Sequence, residues 1–82
     1  MTLRVLFFSL LQDVSGTDEL EYQLDKDPAT VNELLNALFE EIPKLRQWGP
    51  KLLIAVDCEY ADRETPINDG QEIALMPPVQ GG

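Results

Sequence analysis

Only one stretch of this chain carries a helical period, and it decides what the remainder has to be. Val31, Leu34, Leu35, Leu38, Phe39 and Ile42 recur at i, i+3, i+4, i+7, i+8 and i+11, a continuous apolar stripe along one helix. Thr30 stands at the N-cap position with Glu33 three residues on, the pairing of a capping box. Asn32, Glu33, Asn36, Glu40 and Glu41 take the opposite face. Pro43 disfavours helical backbone in the residue before it, so the helix ends near Glu41 or Ile42. Apart from a short turn over Lys44–Trp48, the rest of the 82 residues reads as strand or loop. One helix therefore covers one sheet.

The strands follow from period and punctuation. Leu3 to Leu10 is an apolar run that gives way to the polar stretch Gln12–Asp18, a strand and then a turn. Glu19 to Asp25 alternates polar and apolar without a break, the mark of a half-buried strand, and its closeness to the first suggests a hairpin. Asp27-Pro28 breaks it. Lys51–Asp57 is a third strand, and Cys58–Tyr60 either continues it or forms a short fourth. Thr65–Gly70 has turn chemistry, and Gln71–Met76 is the last strand. The order β-β-α-β-(β)-β resembles the ubiquitin-like β-grasp fold. This is an α+β domain with a mixed four- to five-stranded sheet, first and last strands central, and one main helix on one face. Residues 1–76 form the domain and residues 77–82 an extended tail.

A single helix leaves the other face of the sheet open, and strand parity says what that face carries. Leu20, Tyr22 and Leu24 point at the helix, which turns Glu19, Glu21, Gln23 and Asp25 outward. The charged residues Arg4, Glu72, Lys51 and Asp57 mark the outer face of the other strands. Leu6 and Phe8, Ala74 and Met76, and Leu53 and Ala55 share their parity. With first, last and third strands adjacent, these residues form one apolar patch rimmed by acids, the composition of a docking surface.

The patch runs into Pro77-Pro78-Val79-Gln80-Gly81-Gly82. The prolines fix φ and lack N–H donors, so the segment leaves the sheet as a stiff arm. Gly81 and Gly82 have no Cβ, so the arm fits a narrow tunnel. The carboxylate of Gly82 is then unhindered for reaction. Taken alone, the glycine pair is equally compatible with a frayed chain end or a cloning remnant.

The chemistry of the domain itself is sparse. There is no histidine, which removes the usual general base near neutral pH. No His or Cys cluster offers metal ligands, and no glycine-rich loop opens a helix toward phosphate. Cys58 is the only cysteine; it has acidic neighbours and reads as a small buried or strand-end residue in a reducing, cytoplasmic setting. Asp62, Glu64 and Asp69 lack calcium-loop spacing and read as solvated turn residues. Trp48 reads as a cap on the core edge. A formal charge of -9 argues against nucleic acid and anionic membranes and in favour of a basic partner. The apolar N-terminal run lacks a basic leader and is too short to span a bilayer.

Phe7-Phe8, the run Asn68-Asp69-Gly70-Gln71-Glu72-Ile73-Ala74 and the closing Pro-Pro-Val-Gln-Gly-Gly together resemble the small, sulfur-carrying subunits of molybdopterin synthase. The resemblance covers the whole chain. It implies a non-catalytic sulfur-donor subunit of a transferase complex, with no resident cofactor and no metal. A ubiquitin-activating-type enzyme would adenylate Gly82 with ATP, and a sulfur donor protein would convert the adenylate to a thiocarboxylate. The tail, from Pro77, Pro78, Val79 and Gln80 through Gly81 to Gly82, would enter the large synthase subunit in a heterotetramer of two small and two large chains. Sulfur would pass there to the cyclic pyranopterin precursor. The resemblance also places Phe8, Tyr60 and Met76 at the interface, beside Leu6 and Leu53 from the parity argument; Tyr60 rests on the resemblance alone. A thiazole-pathway sulfur carrier, a ubiquitin-like protein modifier and a plain β-grasp binding module are the alternatives.

Overall fold

The computed structural model describes residues 1–78. Strand β1 (Thr2–Phe7) leads into a short helix α1 (Leu10–Ser15), and strand β2 (Glu19–Gln23) turns back beside β1. A short strand β3 (Ala29–Thr30) precedes helix α2 (Val31–Glu41), and a 3-10 segment (Pro43–Lys51) connects it to strand β4 (Leu53–Val56). Strands β5 (Glu59–Ala61), β6 (Pro66–Ile67) and β7 (Glu72–Met76) follow. The main sheet has five strands in the order β2-β1-β7-β4-β5. Only the central β1–β7 pair is parallel. The first and last strands meet at its centre, as the β-grasp order requires.

Helix α2 begins where its cap chemistry says. Thr30 Oγ1 accepts from the Glu33 N–H at 3.4 Å, and the Glu33 carboxylate accepts from the Thr30 N–H at 3.0 Å. Lys26 closes an ion pair on the same carboxylate, which holds Glu33 below the usual carboxylate pKa. Val31, Leu34, Leu35 and Leu38 are buried, whereas Phe39 and Ile42 pack at the edge of the core. Facing them from the sheet are Leu3, Val5, Phe7, Ile54, Val56, Ile73 and Leu75. Leu24 is buried with them, and Leu20 and Tyr22 are half-covered, so the parity of β2 is as expected. Trp48 lies half-buried against the core, as a cap would.

Several local features differ from the sequence reading. The first strand stops at Phe7, because Ser9 takes a φ of 57° that no strand can hold. Leu10–Ser15, read as strand end and turn, is a helical turn and a half that buries Leu11 completely. Gly16 ends it in the left-handed region at φ 83°, where its N–H reaches the Gln12 carbonyl at 2.8 Å. Pro66–Ile67, read as turn, pairs with Ala29–Thr30 in a second, two-stranded ladder. Lys51, read as the start of the third strand, closes the 3-10 segment instead, and Cys58 is exposed beside β5, which fits its strand-end reading and not its buried one. Asp57 and Cys58, at φ 48° and 71°, form the tight turn between the paired residues Val56 and Glu59, and a two-residue hairpin loop matches strand twist best with both φ positive.

Candidate functional site

The outer face of the sheet is built by register. Leu6 pairs with Ala74, Ala74 with Ala55, and Ala55 with Tyr60. These four side chains form one row straight across β1, β7, β4 and β5. The next row joins Met76 to Leu53. Phe8 reaches the same level, because its N–H donates to the Leu75 carbonyl at 3.1 Å and so prolongs the β1–β7 ladder by one step. The first row has small residues at its middle and large ones at its ends, so it is a shallow trough. Phe8 and Tyr60 are the prominent walls, 44% and 79% exposed. Leu6, Leu53, Ala74 and Met76 are half-exposed, and Ala55 is nearly covered by its neighbours.

The third row is polar. Arg4 stands opposite Glu72, donates to Glu19 at 2.9 Å and approaches Glu72 at 3.9 Å. The Glu19 carboxylate, by hydrogen bond and charge, raises the Arg4 pKa further. The Asp57 carboxylate accepts from the Glu72 N–H and from Gln71 Nε2, each at 3.0 Å, and pins the β4–β5 turn to β7. The face therefore grades from ion pairs at one end to bare hydrocarbon at the end where β7 runs into Pro77 and Pro78, both half-exposed. A partner seated there would bury apolar area beside Pro77 and Pro78.

The structure brings Leu6, Phe8, Leu53, Tyr60 and Met76 onto this one face, with Pro77 and Pro78 immediately beyond Met76. Val79, Gln80, Gly81 and Gly82 lie outside the described residues. Tyr60, out of reach of the parity argument, joins the row through its pairing with Ala55. Leu10 is a further exposed apolar residue, 37% exposed; it shares the parity of Leu6 and Phe8 along the run but lies past the strand end, in α1. Asp62, Glu64 and Asp69 do not gather. The Asp62 carboxylate accepts from the Glu64 N–H and the Thr65 hydroxyl within its own turn, and Asp69 accepts from the Thr2 N–H at 2.6 Å. Among the described residues, no group of three or more His, Cys, Asp or Glu could hold a metal ion, and no helix is long and apolar enough to cross a membrane.

Residues 5–82 match the model of the ThiS family. The chain belongs to the ThiS family. The domain is 35% identical to the molybdopterin synthase sulfur carrier subunit of Haemophilus influenzae, over 98% of this chain and 99% of that protein. Its fold superposes on SAMP1 from Haloferax volcanii with a TM-score of 0.85 at 29% identity, covering all of both chains. It also matches a chain of the complex of subunits 1 and 2 of the molybdopterin-converting factor from Helicobacter pylori 26695, with a TM-score of 0.71, 29% identity and full coverage of both chains. The trough of this ThiS-family domain thus lies on a β-grasp scaffold shared along its whole length with proteins of those names.

Proposed function

We propose that this domain is the sulfur-carrier subunit of a molybdopterin synthase, a cytoplasmic protein that holds sulfur on its own C-terminus and acts only when docked on other proteins. The observation that carries the reading is the apolar trough running directly into Pro77 and Pro78, on a chain with full-length similarity to named sulfur carriers. Residues 1–76 serve as the handle and residues 77–82 as the reactive arm. The carboxylate of Gly82 attacks the α-phosphate of ATP on a ubiquitin-activating-type enzyme and releases pyrophosphate. Sulfur at the sulfide level, delivered by a donor protein, attacks the acyl carbon, expels AMP and leaves a thiocarboxylate. The trough then seats on the large synthase subunit, in a heterotetramer of two small and two large chains. The thiocarboxylate sulfur bonds to the pyranopterin precursor, water cleaves the acyl–sulfur bond and supplies the replacing oxygen, and Gly82 returns as a carboxylate. The domain contributes position and binding energy, while ATP and the acid–base groups belong to its partners.

Mass spectrometry of the mature chain tests this reading. Isolated from cells, it is expected to end at Gly82 and to carry one sulfur in place of one carboxylate oxygen. Extending the chain past Gly82 should abolish the exchange and leave the fold intact. Covalent adducts of the chain on lysines of other proteins would instead identify a modifier, and full sulfur transfer by an untrimmed extended chain would overturn the role of Gly82.

A further inference from the structure

The docking trough leaves one edge of the sheet untouched. At the β2 edge, Leu24 and Met1 exchange both backbone hydrogen bonds, at 2.7 and 2.8 Å, and the Phe7 N–H donates to Asp18 at 2.9 Å. In an antiparallel ladder this fixes Tyr22 and Leu20 as bonded to β1. The N–H and C=O groups of Glu19, Glu21 and Gln23 therefore point away from the sheet. Glu19 is closed off by Thr17, whose hydroxyl donates to the Glu19 carbonyl at 2.8 Å and accepts from its N–H at 3.3 Å. The backbone groups of Glu21 and Gln23 have no such cap among the described residues.

Beside this open edge lies a groove of about 500 Å³ between β2 and α2. Tyr22, Leu24 and Ala37 give it an apolar floor, and Asp25, Glu33 and Glu41 stand on its walls. Glu40 joins Tyr22, Ala37 and Glu41 in the adjoining hollow of about 330 Å³. Lys26 is the one cation among the lining residues, and it is engaged by Glu33. The Tyr22 hydroxyl records this field: burial raises its pKa first, and Glu41 and Glu40 raise it further.

We propose that this edge and groove accept an extended, lysine- or arginine-bearing segment of a partner protein, which adds to β2 as a sixth strand. Backbone bonds to Glu21 and Gln23 would set its register, and alternate side chains would drop toward Tyr22 and Ala37. Charge chooses the occupant. A second copy of this chain, at formal charge -9, would set its own acidic edge against this one, whereas a basic segment neutralises Asp25, Glu40 and Glu41. The edge strand β2 is separated from the trough by its position in the sheet order, so the segment stays bound while the outer face and tail are engaged.

The test uses the intact protein, isotopically labelled for NMR, with a short synthetic peptide of alternating lysine and valine and a matched peptide of glutamate and valine. The basic peptide should slow amide exchange at Glu21 and Gln23 by about tenfold or more and shift the Tyr22 and Ala37 signals; the acidic one should do neither. Gln23→Pro removes one outward donor without breaking the ladder to β1. Ala37→Leu fills the floor on a half-exposed helix position and serves even if the proline variant fails to fold. Each should weaken binding about tenfold. Shifts scattered over the acidic surface without protection at Glu21 and Gln23, equal binding of both peptides, or indifference to Ala37→Leu would overturn the proposal.

Discussion

Tyr60→Ala is the cleanest probe of the docking trough, because the ring contributes little to the free domain. It is 79% exposed, so removing it leaves no cavity. A tyrosine side chain offers on the order of 200 Å² for burial, of which about 160 Å² is still exposed here and roughly 120 Å² is apolar. At about 25 cal/mol per Å², full coverage by a partner corresponds to about 3 kcal/mol. Incomplete burial and the ordering of the ring reduce this to about 2 kcal/mol, or roughly a thirtyfold rise in Kd. The assay is isothermal titration calorimetry against the large synthase subunit, paired with thermal unfolding of the free variant. Loss of the ring from a three-residue strand costs the free domain at most about 1 kcal/mol. An unchanged Kd would show that the partner does not cover β5 and that the trough ends at Ala55. A fall in stability as large as the fall in affinity would show that Tyr60 holds the sheet and not the partner.

Other perturbations separate the remaining parts of the argument. Phe8→Glu, on the opposite wall of the trough, or Met76→Glu, in its middle, should weaken the same complex by more than about 2 kcal/mol while the chain still folds; unfolding would mean that these side chains support the core. Glu33 has a lowered folded pKa, so its ion pair with Lys26 adds stability above the unfolded value of 4.5 and loses it as pH falls through the folded value. Glu33→Gln retains a capping-box residue, so its deficit at neutral pH should shrink toward zero in acid, as read by urea unfolding across pH; a constant deficit would assign the effect to the cap alone. The acidic surface should make association with the large subunit fall clearly from low to physiological ionic strength, with a smaller change in dissociation, and stopped-flow mixing with no salt effect would refute steering.

What was legible in the sequence is what local chemistry or strand parity determines. Thr30 and Glu33 announced α2 because the capping box is a contact between residues three apart. Arg4 and Glu72 announced the outer face because a charge opposite the helix side leaves its strand only one parity. Tyr60 escaped parity because three residues after a tight turn carry too little pattern, and only the resemblance pointed to it. Leu10–Ser15 was misread because the chain leaves the strand through a positive φ at Ser9, a choice made by tertiary packing of Leu11. The β3–β6 ladder was invisible because two residues have no period. The β2–α2 groove combines an alternation and a helix face that are each plain in sequence, but their juxtaposition exists only once the sheet order is known.

The central β1–β7 pair has a consequence for the timing of synthesis. Arg4 finds Glu72, and Phe7 finds Leu75, only after almost all of the described chain has been translated. Until then β1 has no parallel neighbour, β4 lacks its β7 flank, and the floor beneath α2 is missing its middle plank. Such distant closure is slow compared with hairpin or helix formation. A ribosome-bound or truncated chain ending before β7 therefore cannot assemble the trough, since Ala74 and Met76 supply its middle column. Pro77 and Pro78, which follow Met76, are thus carried only by a completed sheet, and any partner that recognised the trough would accept finished molecules and pass over fragments.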